Sequence, residues 1–237
     1  MDTTVYANSS RVKKRVRPSA RAVRKVNKLS VAKWIVAAVL VVTFTVLTEV
    51  LKKPDLTLFF ILGVGLIVLF HKEFSIRQYS KTYLKGWQPW VWTVVTVALL
   101  YGAEQLKNYL LWNVFLTSKP GIISLYWKEN YPGVAFYAIT MIIILPLAEN
   151  LFFRKAMLAS SNKLILVLMT FVSLAVRGLF YAHGFTGILS YAIVAVPLTL
   201  VFLKTKNVYI TLTAQIIISA YVVIPDIVYY VARLMLR

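Results

Sequence analysis

The stretch WIVAAVLVVTFTVLTEVL, Trp34–Leu51, decides the fold class. Glu49 is its only charged residue, and about 20 such residues make one helical crossing of a bilayer core. Backbone groups in hydrocarbon must be paired within their own segment, so a helix is expected. The block stops at Lys52-Lys53-Pro54-Asp55, and the form recurs downstream. Further apolar blocks run over Leu56–Phe70, Pro89–Leu111, Val134–Phe153, Leu164–Tyr181 and Ile188–Leu203. Two last stretches, Val208–Ser219 and Tyr221–Leu236, are read as separate on the strength of Pro225-Asp226 alone. Together they predict an all-α fold, a polytopic transmembrane helical bundle of about eight helices. Seven is the alternative, because Val208–Ser219 is short for a crossing. The short alternating segments of a transmembrane barrel are not found, nor is an internal repeat that would suggest a transporter built from duplicated halves.

Composition agrees. Of the 237 residues 59% are hydrophobic and 15% charged, with a mean hydropathy of +0.73; soluble domains are roughly half apolar and about a quarter charged. The net charge is +19, from 27 Lys/Arg against 8 Asp/Glu. Ten of the basic residues precede the first apolar block, from Arg11 to Lys33, and the others mostly mark block ends. That distribution encodes topology and argues against nucleic-acid binding. Three regions are expected: a basic cytoplasmic tail over 1–32, N-terminal transmembrane helices over 33–133 and a transmembrane core over 134–237. The tail is expected to be disordered or laid on the surface, touching anionic lipid headgroups at about 1 kcal/mol per basic residue. With eight crossings, the inner loops would hold Lys72, Arg77, Lys81, Lys85, Arg154, Lys155, Lys163, Lys204 and Lys206, with Arg233 and Arg237 at the end. The outer loops would hold Lys52, Lys53, Lys107, Lys119, Lys128 and Arg177. This bias places the N-terminus in the cytoplasm of a multi-pass cell-membrane protein, with a bacterial plasma membrane as the expected setting. The basic N-terminal run is too long, and the block after it too membrane-like, for a signal peptide. With no cysteine in the chain, disulfides, thiol catalysis and thiolate metal sites are excluded.

Ionisable residues inside membrane blocks are functional candidates, because burying one is unfavourable by a few kcal/mol or more. Glu49 and Glu104 sit near block ends, where they can reach water, and His71 is interfacial. Glu149-Asn150-Leu151-Phe152-Phe153-Arg154 differs, with an acid, an amide and an arginine late in an apolar helix. Asn150 and Arg154 share a face at i, i+4, with Glu149 beside them. Pro146, one turn earlier, can kink the helix and free a carbonyl for a polar partner. The segment reads either as a Glu–Arg structural pair or as a reactive cluster. His183 is either structural or a residue that exchanges protons near neutral pH. Thr211, Gln215 and Ser219, at i, i+4 and i+8, form a polar stripe that could simply bond neighbouring helices.

Taken in order, these segments resemble the CPBP family, the CAAX-protease and bacteriocin-processing intramembrane proteases also called Abi. That family carries Glu-Glu-x-x-x-Arg, then Phe-x-x-x-His about thirty residues on, then a helix with His-x-x-x-Asn or a similar pair. Glu149 to Arg154 is similar to the first motif, with Asn150 at the second Glu. Leu179-Phe180-Tyr181-Ala182-His183 is similar to the second, with Leu179 at the Phe. Gln215 to Ser219 stands at the third, with Gln and Ser for His and Asn. The resemblance spans roughly residues 134–222.

It implies a glutamate that activates water for attack on a peptide bond, with histidines moving protons or holding the oxyanion. Carried over, the site residues are Glu149, His183, Arg154, Asn150, Gln215 and Ser219, with Gln215 a neutral donor. One Glu and one His are poor for catalytic zinc, which takes about three protein ligands, so no tightly bound metal is expected and any cofactor is unknown. Two functions follow. One is an intramembrane endopeptidase acting on a peptide or membrane-associated substrate, with a possible link to bacteriocin immunity. The other is a catalytically inactive homologue, a scaffold for another envelope protein. A simple topology puts Glu149 near the inner end of its helix and His183 near the outer end of the next, so a shared site requires a broken, tilted or overlong helix.

Overall fold

The structure is a computed structural model and describes residues 20–51, 54–115, 119–160 and 162–236, with side chains from residue 31 onward. Residues 1–19 of the basic tail expected over 1–32, the charges at Lys52, Lys53 and Arg237, and Ser161 lie outside the described residues. The chain divides into two units, residues 1–36 and 37–237. Helix α1 (Ala20–Val50) supplies the described part of the first unit. Residues 20–32, expected as irregular tail, are therefore helical; no glycine or proline interrupts the sequence from Ala20 to Val50.

In the second unit the chain continues as α2 (Leu56–Phe70), α3 (Ile76–Leu84) and α4 (Gln88–Tyr109). Then come α5 (Tyr131–Ala159), α6 (Lys163–Leu179), α7 (Phe185–Thr205) and α8 (Val208–Met235). Polar N-caps fix where several begin, because the first N–H groups of a helix lack backbone partners. Asp55 accepts from the Thr57 amide at 2.8 Å, Asn130 from Gly133 at 2.8 Å, Asn162 from Leu164 at 3.0 Å and Asn207 from Tyr209 at 3.0 Å.

Eight continuous helices are thus present among the described residues, as the sequence predicts, but the membership of the set differs. The stretches 208–219 and 221–236 are one helix, α8, which runs through Pro225. A proline removes one backbone bond; inside an apolar bundle the flanking turns still have no alternative to helix. The place of the lost helix is taken by α3, a short amphipathic helix after the 3₁₀ turn His71–Glu73. Among the described residues, five helices are long and apolar enough to cross a membrane: α1 from Val31, α2 with its 3₁₀ turn, α5, α7 and α8. The protein is a multi-pass membrane protein.

The side-chain distribution suits lipid. Outward positions are apolar, among them Val68, Val94, Phe171, Leu200 and Val228, while Thr96, Glu149, Asn150, Arg154, Ser190 and Gln215 are buried. One core cluster joins the second half of α1 to α2, α5 and the end of α6. Within it Phe44 meets Phe59 edge-on at 4.8 Å and Phe180 at 5.4 Å. A second joins Leu100, Val194, Leu198, Ala214 and Ile218 of α4, α7 and α8. At one end of the unit, the loop before α5 is tied down by its backbone. Tyr126 bonds Leu56 and Pro54, and Gly121, at a φ of +60° that suits glycine, accepts from the His183 amide. Arg233 reaches Glu129 at this same end, at 3.3 Å, away from the α7–α8 turn where an eight-crossing scheme would put it.

The absence of native cysteine gives a direct check. Single cysteines at Lys204→Cys and Arg233→Cys, at the two ends of α8, should react with a membrane-impermeant maleimide from opposite faces of sealed vesicles. Labelling from one face would contradict a continuous, crossing α8.

Candidate functional site

Helix α5 is not regular. A π turn occupies Thr140–Ile144, a short α segment runs Leu145–Glu149, and a second π segment runs Asn150–Ala156. Pro146 has no N–H to give, and the Leu145 amide bonds five residues back to Thr140. Such bulges re-aim side chains and concentrate at functional sites. Here they turn Glu149, Asn150 and Arg154 together into the bundle, each about 1% exposed or less. The Pro146 carbonyl accepts the Asn150 side-chain amide at 2.7 Å.

Three donors converge on the Glu149 carboxylate. Arg177 Nε of α6 reaches Oε2 at 2.9 Å, Gln215 Nε2 of α8 reaches the same oxygen at 2.6 Å, and the Tyr181 hydroxyl reaches Oε1 at 2.6 Å. Gln215 is the hinge of the cluster. Its amide nitrogen serves Glu149, while its oxygen accepts from Asn150 Nδ2 at 2.8 Å and from Arg154 Nη1 at 3.1 Å. Arg154 thus neighbours the carboxylate through an amide, and its Nε has no partner. Arg177 also gives Nη1 to the Tyr191 carbonyl at 3.2 Å and lies over the Tyr181 ring, which stacks on Tyr191 at 5.1 Å. Two guanidinium groups and one carboxylate therefore share one buried hydrogen-bonded network.

Beside it, between α4, α7 and α8, lies a cavity of about 180 Å³. Gln215, Arg177 and Tyr181 form its polar floor, Leu198 and Ile218 are among its apolar walls, and the Glu104–Lys107 pair and Ser219 also border it.

Of the residues expected from sequence, Glu149, Asn150, Arg154 and Gln215 come together, and Ser219 faces the adjoining cavity. His183 does not join them. Its Nδ1 pairs with Glu49 of α1 at 2.9 Å, its amide holds Gly121, and its Nε2 is buried without a partner. The α6–α7 turn carries it past Tyr181, which takes the place beside the carboxylate. Arg177 and Tyr181 are the residues that sequence reading missed. Arg177 was assigned to an outer loop, yet it is buried in the bundle. The signal was present: an arginine inside the apolar run Leu164–Tyr181, spaced i, i+4 from a tyrosine. Arg154, likewise placed in a loop by charge counting, is buried too. Among the described residues, no three His, Asp or Glu side chains converge as a metal site.

Replacing the hinge exposes its role. Gln215→Leu should lower stability in detergent by about 3 kcal/mol, since it strands polar groups on both sides of the amide, each worth ~1–3 kcal/mol. Ser219→Ala, one turn along the same helix, should change it by less than about 0.5 kcal/mol. Equal midpoints of thermal unfolding for the two variants would contradict this network.

Residues 131–221 match the family described as Rce1-like, the type II CAAX prenyl endopeptidases. No curated protein and no solved structure matches the chain. The matched span runs from the start of α5 into α8 and contains every side chain bonded to Glu149. Over residues 131–221, then, this multi-pass membrane protein is similar to the Rce1-like family of type II CAAX prenyl endopeptidases.

Proposed function

We infer that this chain is a non-hydrolytic relative of the intramembrane endopeptidases, which holds a membrane peptide or partner protein rather than cutting it. The observation that carries this reading is the occupation of Glu149. A general base needs a free, basic lone pair within reach of water. The Glu149 carboxylate instead accepts from an arginine, a tyrosine and an amide at 2.6–2.9 Å. None of these neighbours serves as a second base: arginine has no acceptor and keeps its proton, and the tyrosine is itself the donor. The residue of α6 that faces the glutamate is Arg177, while the chain's nearby histidine is engaged by Glu49. In this role the glutamate neutralises charge and locks α5, α6 and α8 together. The cavity beside it receives the partner's side chain or terminus.

The sidedness that fits is a cytoplasmic basic end. Lys72, Arg77, Lys81, Lys85, Lys155, Lys163, Lys204 and Lys206 lie in or beside the segments joining α2 to α4, α5 to α6 and α7 to α8, and basic connecting segments are retained on the cytoplasmic face.

A second reading, an active endopeptidase, is favoured by the cavity, which brings open space against the side chains that hold Glu149. The two readings separate in one assay. The purified protein is offered a prenylated CAAX peptide and unprenylated membrane peptides, alongside Glu149→Gln. The expected result is no cleavage above the variant and recovery of an intact membrane partner in stoichiometric amount from native membranes. Cleavage by the wild type that disappears in Glu149→Gln would establish the enzyme instead.

A further inference from the structure

A second pocket, of about 490 Å³, opens at the basic end of the bundle between α3, the close of α5 and the α7–α8 turn. Four lysines border it: Lys81 from α3, Lys85 from the C-cap of that helix, Lys155 from α5 and Lys206 from the turn. Among the described residues no carboxylate pairs with any of them. Four like charges around one space repel one another unless an anion sits between them.

The wall is built for that arrangement. On α3, Gln78, Lys81, Thr82 and Lys85 fall at i, i+3, i+4 and i+7, a single helical face. Tyr79 and Tyr83 anchor the helix from its other side, to Thr213 at 3.0 Å and to Thr93 at 2.9 Å. Lys206 is the one non-glycine residue with positive φ among those described, at 52°. Glycine or asparagine is the usual occupant of such a helix-ending turn, and strain of this kind is tolerated where a site requires the residue. The residues beside the pocket are those of a membrane interface. Trp87 and Trp90 are exposed beside it, Lys204 lies over the Trp92 ring at 4.9 Å, and tryptophans of this kind mark the membrane interface. Ile76 and Leu84 of α3, 74% and 84% exposed, give acyl chains an apolar surface.

We propose that this pocket binds the phosphate headgroup of an anionic phospholipid, one carrying two negative charges, from the leaflet at the basic end. Basic pockets between membrane helices are suited to such headgroups. This site is separate from the Glu149 cluster, and the proposal does not depend on whether that cluster is catalytic.

The full-length protein in neutral detergent is titrated with phosphatidic acid or phosphatidylcholine, and bound lipid is read by native mass spectrometry. Phosphatidic acid should bind as a single saturable ligand and phosphatidylcholine should not. Lys155→Gln with Lys206→Asn should weaken binding about thirtyfold, at about fivefold per lysine. Lys81→Gln with Lys85→Gln, which leaves the strained turn untouched, should do the same. Lys72→Gln with Lys163→Gln, an equal loss of charge at the same end but outside the pocket, should leave affinity within about twofold. Equal weakening by all three pairs would mean diffuse surface attraction and overturn the site. Displacement of the lipid by millimolar inorganic phosphate would make free phosphate the ligand and overturn it as well.

Discussion

A carboxylate buried among membrane helices is the constraint from which the rest of this structure follows. An isolated acid, arginine or lysine at a helix centre is unfavourable by about 2.5–3.5 kcal/mol even on insertion-based scales. Glu149 is 1% exposed, and two arginines are buried close to it. Such a group is tolerable only with its charge and lone pairs matched. That requirement draws Arg177 and Tyr181 from the end of α6, Gln215 from the middle of α8, and Asn150 and Arg154 from α5 itself. The π segments of α5 and the turn after α6 are the local distortions that bring these side chains to one point.

The same constraint bears on chemistry. Hydrolysis wants a carboxylate that is close to water and able to take a proton. Structural locking wants one surrounded by donors. The network around Glu149 has the second character, and the amide of Gln215 strengthens it, because a single planar group can donate to the acid and accept from Asn150 and Arg154 at once. On the proposed non-hydrolytic reading, the helical frame and the cavity are kept while fixed donors surround the carboxylate.

Much of the frame was legible in the sequence. The blocks from Trp34 onward read as membrane helices, and the count of eight is reached, although the last two blocks form one helix and α3 makes up the number. The Glu149–Arg154 segment and Gln215 stood out because polar residues are rare in such blocks. Other features were hidden for definite physical reasons. Pro225-Asp226 reads as a break, since proline ends helices in water, but a bilayer leaves the flanking turns no other conformation. Arg177 lies within a turn of a block end, where charge counting sends it to a loop; only the turn after α6, folding back through Tyr181, shows that it points inward. His183 carried the most conspicuous functional chemistry in the sequence, yet its i+2 separation from Tyr181 sends it toward Glu49 rather than Glu149. No periodicity rule foresees that, because the spacing crosses from helix into turn.

The most direct test of the central claim is a double-mutant cycle on Glu149 and Arg177, with Glu149→Gln, Arg177→Gln and the pair, read as unfolding free energies in detergent. If the two groups exist to neutralise each other, each single change strands a buried charge and destabilises by about 3–5 kcal/mol. The double variant then recovers much of that loss, giving a coupling on the order of 3 kcal/mol. Additive effects, with the double variant as unstable as the sum of the singles, would contradict a carboxylate consumed by its arginine.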